Sequence, residues 1–173
     1  MNFLLKCICF HPNCNYLASG SSDRCVRIFD LANLDNPQVR QYTGHKAPVT
    51  ILKFSACGRF LASGGADSLV IMWDLSSSVI VAQFSSHKDS IYSLEFSRDN
   101  TVLASAGLDN TIKLWNMAKL TKEVEQSEDL SKFTTKNETQ YEIGSWNTKQ
   151  TPIIQLHFTR RNLLVGIGPF RHN

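Results

Sequence analysis

A chain of 173 residues, 42% hydrophobic and 19% charged, is long enough for one domain with a sizeable core and too apolar for wholesale disorder. Its formal net charge of +3 is too mild for a protein that lives by gripping phosphates, so direct nucleic-acid binding is not expected. No apolar run approaches the roughly 18–20 residues of a membrane-spanning helix, and the opening MNFLLKCICF lacks the cationic head and small-residue cleavage site of a signal peptide.

The first stretch holds four of the five cysteines, Cys7, Cys9, Cys14 and Cys25, with Cys57 further on. Cys7 and Cys9 share one face of a strand. A zinc site built from these and His11 fails on spacing, because structural zinc takes paired ligands about two to four residues apart. They read as buried or half-buried thiols of a reducing compartment, cytoplasm or nucleus, and no metal or cofactor is expected. Residues 16–30 then give YLASGSSDRCVRIFD, followed by a strand at 39–43 and the dipeptide Gly44-His45. In TILKFS (50–55), Ile51 and Lys53 alternate with Leu52 and Phe54, the period-two pattern of a half-buried strand. Residues 60–74, FLASGGADSLVIMWD, repeat the earlier phrase, a strand follows at 79–84, and Ser86-His87 precedes SLEFS (93–97). Residues 102–116, VLASAGLDNTIKLWN, give the phrase a third time.

Aligned on Phe10, Phe54 and Phe96, the copies lie 44 and 42 residues apart. A fixed period of this size overrules any single-segment reading. Four short antiparallel strands per unit of about 42 residues make the blade of a β-propeller, so the fold class is all-β. Ala62, Ser63 and Gly64 are small because blades pack face to face there, and Leu61 and Ile71 fill the space between blades, each contributing roughly 1.5–3 kcal/mol on burial.

The polar residues of the phrase recur at fixed offsets. His45, Ser63, Asp67 and Trp73 form one set, and His87, Ser105, Asp109 and Trp115 another. In a blade they can join as a chain in which Asp accepts from His, His meets Ser, and the Trp indole donates to Ser, satisfying every buried polar group. The first copy has Ser19 and Asp23, but Phe29 replaces Trp and no Gly-His precedes it, so its network is incomplete. Ser, His and Asp together also invite a hydrolase reading. Their repetition, once per unit, is how structure behaves and how a single catalytic site does not, so no catalytic residue is assigned.

After Trp115-Asn116 the rhythm fails. Residues 118–138 are polar and mixed in charge, consistent with one or two helical turns followed by a solvated loop. Strand patterns return at 141–146, 152–158 and 162–167. The blades therefore span about 3–43, 49–84 and 91–146, the third carrying the insertion, with a two-stranded half-blade at about 152–168. Propellers close with 4–8 blades, and repeat arrays with bare ends expose apolar faces. Three and a half blades are expected to be the C-terminal half of something larger, needing a partner or further blades.

The repeated phrases identify the chain as a member of the WD-repeat proteins. HPNCNYLASGSSDRCVRIFD (11–30), TGHKAPVTILKFSACGRFLASGGAD (43–67), FSRDNTVLASAGLDNTIKLWN (96–116) and above all QLHFTRRNLLVGIG (155–168) resemble the last blades of a narrower group, the TBP-associated factor 5 family, the WD-repeat subunit of TFIID and SAGA-type coactivators. The resemblance implies a non-enzymatic nuclear scaffold that packs against histone-fold subunits in transcription-complex assembly. A generic WD-repeat adaptor, such as a substrate-recognition module of a ubiquitin ligase, is the alternative. Loops on a rigid scaffold carry binding, so the candidate partner contacts are the loop positions flanking the polar sets: Ser22, Lys46, Ala47, Ala66, Lys88, Asp89 and Leu108.

Overall fold

Each LAS-type phrase folds as a strand, a tight turn and a second strand, and the turn is built the same way three times. Arg24, Ser68 and Asn110 take the left-handed conformation at equivalent positions, with φ of 70°, 60° and 58°. One residue earlier, the carboxylate of Asp23, Asp67 or Asp109 accepts the backbone N–H two residues on, from Cys25, Leu69 or Thr111, at 3.1–3.3 Å. The recurrent Asp is thus a turn-former before it is anything else.

In a computed structural model, residues 4–33, 35–85, 87–127 and 138–169 are described. Their strands are β1 (Leu5–Phe10), β2 (Tyr16–Ser21), β3 (Cys25–Asp30), β4 (Gln38–Thr43), β5 (Val49–Phe54), β6 (Phe60–Gly65), β7 (Val70–Asp74) and β8 (Val79–Phe84). Beyond these come β9 (Ile91–Phe96), β10 (Val102–Gly107), β11 (Thr111–Asn116), β12 (Glu142–Asn147), β13 (Gln155–Phe158) and β14 (Leu164–Ile167). The one α-helix among the described residues, α1 (Met117–Gln126), lies between β11 and β12. Among the described residues the strands form three four-stranded antiparallel meanders, β1–β4, β5–β8 and β9–β12, and a two-stranded sheet, β13–β14. This is a partial β-propeller.

The innermost strands of successive sheets, β1, β5, β9 and β13, lie side by side. They are stitched by side chains: the Thr50 hydroxyl donates to the Ile91 carbonyl, and the Ser93 hydroxyl accepts from the Leu156 N–H at 2.7 Å. The core sits between sheets. Ala18, Val26 and Ile28 meet Leu52, Phe54, Leu61 and Ile71 across the first gap. Phe60, Met72 and Val81 meet Ile91, Leu94, Phe96 and Leu103 across the second. The middle sheet is covered on both faces, so all five residues of β7 are buried, and its VIMWD shows no alternation. The small residues are required by close approach: a Cβ on Gly64 would lie 2.7 Å from the Ile51 side chain and 2.8 Å from that of Ile91.

The insertion differs from its expected one or two turns. Its first part is α1, ten residues and nearly three turns. The helix is capped by the Asn116 side chain, which accepts the Lys119 N–H at 2.9 Å. Met117, Leu120 and Val124 recur at helical spacing and are buried with Phe60, Met72 and Val81 of the middle sheet. The segment reads as polar because three large apolar residues in ten suffice for a one-sided stripe. The solvated loop expected after it falls mostly on residues 128–137, outside the described residues.

The last hairpin departs from the others by one residue. Phe10, Phe54 and Phe96 pair with Leu17, Leu61 and Leu103, whereas Phe158 pairs with Leu164, after a loop one residue shorter. That register puts Gly166 opposite Leu156, in the place that Ser63 holds opposite Leu52.

The two ends of the array are bare. Ile8 and Phe10 (59% exposed) lie on the outer face of the first sheet, and Val165 and Ile167 (54% exposed) on that of the last hairpin. A polypeptide of these 173 residues by itself should therefore associate, burying faces and strand edges of the kind that drive aggregation. Light scattering coupled to size-exclusion chromatography should give a mass above the 19.5 kDa of one chain. A sharp monomer peak with cooperative unfolding would refute this.

Candidate functional site

Two polar chains of the same design run through the second and third sheets. In the second, His45 Nδ1 lies 3.0 and 3.1 Å from the two Asp67 oxygens, and His45 Nε2 lies 2.8 Å from Ser63 Oγ. The Trp73 indole N–H donates to the same Oγ at 2.8 Å. In the third, His87 Nδ1 meets Asp109 at 2.8 Å and its Nε2 meets Ser105 Oγ at 2.7 Å, while the Trp115 indole donates to Ser105 at 2.9 Å. Indole only donates and carboxylate only accepts, so the two ends of each chain are fixed. Trp donates to Ser and the Nδ1–H donates to Asp, with Ser Oγ and Nε2 hydrogen-bonded to each other between them. In each set the imidazole bridges carboxylate and hydroxyl, and among the described residues no buried side-chain polar atom lacks a partner.

Sequence spacing did not show what covers these chains. Phe84, from the last strand of the middle sheet, stacks on Trp115 with ring centroids 4.2 Å apart and planes at 6°. Tyr42, from the last strand of the first sheet, packs on Trp73 at 5.2 Å. An aromatic three residues before each His was the available signal. Each blade thus seals the polar chain of the next one, keeping water out of hydrogen bonds that then act in a low dielectric. Asp74, directly after Trp73, has a role that spacing alone does not show. It is fully buried and accepts from Arg59 at 3.1 Å and from the Ser76 hydroxyl at 2.7 Å.

The first sheet has no such chain. Asp23 turns to Arg27, whose Nη2 donates at 2.6 Å, Ser19 is buried with no histidine or indole on it among the described residues, and Phe29 stands in the place of the tryptophan. In the last hairpin Gly166 removes the serine altogether. Ser63 and Ser105 are themselves fully buried, each with an indole N–H on its oxygen, so neither is placed to attack a substrate. Cys7 is likewise no nucleophile: burial pushes its thiol up to about 12. Among the described residues no cluster of His, Cys, Asp or Glu has the geometry to hold a metal.

The same carboxylates hold the loops. Asp67 accepts the Lys46 N–H at 2.6 Å, and Asp109 accepts the Lys88 N–H at 3.1 Å. The Ala66 N–H donates to the Pro48 carbonyl at 2.9 Å, and the Leu108 N–H to the Ser90 carbonyl at 3.0 Å. Lys46, Ala66, Lys88, Asp89 and Leu108 are exposed and Ala47 half-buried, all on loops at the same end of the strands. Ser22 sits on the corresponding loop of the first sheet, half-buried, its hydroxyl accepting the Leu4 N–H at 2.9 Å. Lys46 and Lys88 occupy equivalent positions, as do Ser22, Ala66 and Leu108. The geometry is a row of loops whose backbone is held by hydrogen bonds to the network aspartates and to neighbouring carbonyls, with Lys46, Ala66, Lys88, Asp89 and Leu108 exposed.

Burial works against ionising Asp67, but hydrogen bonds from His45 and from the Lys46 and Leu69 N–H groups hold its carboxyl below the usual range. Burial opposes Asp109 in the same way, and the Lys88 N–H and His87 outweigh it. Burial drives His87 below its ordinary value against the pull of Asp109. All three shifts carry the same sign for stability. A folded-state pKa below the unfolded value means the unfolded chain binds protons first, so stability is lost as pH falls. For His87 the loss begins below about pH 6.5, and for the two aspartates below about pH 4. The melting temperature should therefore decline from near pH 6.5 downward, and the His87 ring followed by NMR should titrate below the ordinary histidine range. A midpoint at or above the ordinary histidine value would refute this account.

Removing Asp109 leaves His87 Nδ1–H and two backbone N–H groups without their acceptor. Asp109→Ala should cost about 1–3 kcal/mol, whereas Asp35→Ala, on an exposed loop, should stay within about 0.5 kcal/mol. Equal denaturation midpoints for the two variants would contradict this account of the network.

Comparison with known proteins agrees with the architecture. The family described as "WD domain, G-beta repeat" matches residues 3–30, 36–74 and 78–116. The chain is 39% identical over 167 residues to a transcription initiation factor TFIID subunit 5 from Caenorhabditis elegans, a match covering 95% of this chain and 26% of that protein. It is 37% identical over 76 residues to the E3 ubiquitin-protein ligase COP1 of Pisum sativum, covering 43% of this chain and 11% of that protein. Among solved structures, U3-55K superposes with a TM-score of 0.73 at 19% identity over 90% of this chain and 43% of its own, and the RRP9 WD40 repeats with 0.72 at 19% identity over 90% and 42%. The chain thus spans about a quarter of the TFIID subunit and less than half of either solved propeller chain. Matched through three consecutive repeats and folded as their sheets, the chain belongs to the WD-repeat family.

Proposed function

We propose that this chain is a non-enzymatic scaffold, a propeller segment that works within a nuclear transcription complex of the TFIID type. The observation that carries this is the extent of the likeness to the TFIID subunit. It runs through 95% of the chain, including the departures from the repeat, whereas the ubiquitin ligase is matched over 43%. A match confined to under half of the chain is what shared repeats produce on their own. A match that continues through an insertion and a two-stranded end is not.

The chemistry of the site supports a binding role. The polar chains are closed and buried, and what reaches solvent is a set of loops carrying Lys46, Lys88, Asp89 and Leu108. Rigid loops of mixed charge with isolated apolar tips suit a protein partner, since little ordering entropy remains to be lost on docking. On this reading the partners are histone-fold subunits of the complex, and the alternative is an adaptor of the ubiquitin-ligase kind.

The test is a pull-down with the tagged chain from nuclear extract, read by mass spectrometry. Histone-fold transcription subunits should be enriched, and the double substitution Lys46→Glu, Lys88→Glu should reduce their recovery several-fold without changing the circular dichroism spectrum. Recovery of cullins or ligase adaptors in their place would overturn the transcription reading.

A further inference from the structure

The gap between the first and second sheets and the gap between the second and third are built from equivalent residues but finished differently. In the second gap, α1 leaves the sheet at Met117 and lays Met117, Leu120 and Val124 into one cluster with Phe60, Met72, Val81 and Phe96. Leu75 holds the place of Met117, 21 residues after its reference phenylalanine. There the chain does not continue as a helix. It turns back at once, Ser78 N–H donating to the Asp74 carbonyl at 2.8 Å with Ser78 at φ 61°. The first gap therefore has no counterpart of Leu120 and Val124 among the described residues. What remains is an open groove of about 210 Å³ lined by Tyr16, Ile28, Val39, Phe54 and Leu75, by Arg40, and by the His11 ring, which stands edge-on to Phe54 at 5.0 Å. By strand register Tyr16, Ile28, Val39 and Phe54 are the equivalents of Phe60, Met72, Val81 and Phe96. Val81 is buried, whereas Val39 is 50% exposed.

We propose that this groove is the docking site for an amphipathic helix of a partner protein, which supplies in trans what α1 supplies within the chain. The helix carries an apolar stripe at the spacing of Met117, Leu120 and Val124, which is how a helix reads into a groove. It also carries an acidic residue. Arg40 donates to the Leu75 carbonyl and lies 3.5 Å from the Tyr42 hydroxyl, but among the described residues no carboxylate pairs with it. In the filled gap α1 offers such a group, Glu125, which meets Arg59 at 3.5 Å. The groove lies at the end of the strands opposite Lys46 and Lys88, so this surface is separate from the loops of the proposed scaffold role and does not depend on that reading.

The probe is a fluorescein-labelled, helix-stapled peptide with the sequence of residues 116–127, titrated with the full 173-residue chain and read by anisotropy. Saturable binding is expected, weakened at least tenfold by Val39→Asp, by Arg40→Glu, and by replacing the peptide's leucine and valine with serine. Val39 and Arg40 are exposed, so both variants should keep the parent circular dichroism spectrum. Lys46→Glu with Lys88→Glu should leave peptide binding unchanged. Absence of saturable binding overturns the proposal. So does binding that ignores Val39→Asp, whether the peptide has displaced the chain's own α1, which Phe60→Ala would reveal, or has settled on an open end of the array.

Discussion

The interaction on which the rest depends is the hydrogen bond chain from indole to serine to imidazole to carboxylate. It ties four separate parts of a unit together: the loop before the sheet, the second strand, the turn after it and the third strand. The aspartate end belongs equally to the turn, through its bond to the N–H two residues on, and to the loop, through Lys46 or Lys88. One carboxylate therefore sets a turn, orients an imidazole and pins a loop. Because every member is paired and its side chain buried, leaving any group unpaired is costly.

That chain is stable only because it is covered. Tyr42 and Phe84 come from the sheet before the one whose tryptophan they pack on. Stability therefore passes along the array from one blade to the next, as in other repeat proteins. The first sheet shows the converse. Among the described residues no sheet packs on its equivalent face, and there the histidine chain gives way to an Asp23–Arg27 pair beside the exposed Ile8 and Phe10. At the other end Gly166 replaces the serine, so no indole could be received there in the same manner.

The rigid interior has a consequence for binding. Nothing chemically reactive reaches solvent from the buried chains, and the surface variation lies where the repeat is broken or decorated: the loops at one end of the strands, and at the other end the gaps between sheets. There α1 fills one gap and leaves its neighbour open. A repeat architecture makes such comparisons possible within a single molecule, because each position has a counterpart whose surroundings are known.

The sequence by itself determined the all-β class, the strand count of the three full units, the two-stranded last unit and the offsets that single out His45, Ser63, Asp67 and Trp73 with their counterparts. Those features repeat, and repetition turns local alternation into architecture. The sequence did not show α1 at its full length, because Met117, Leu120 and Val124 are diluted among lysines and glutamates until a groove exists to receive them. Nor did it show that the last hairpin is one residue shorter, that Phe84 lies flat on Trp115, or that Arg59 holds Asp74. Each of these joins residues from different sheets or from opposite ends of a hairpin. Such contacts leave no periodic trace along the chain, and only tertiary packing decides them.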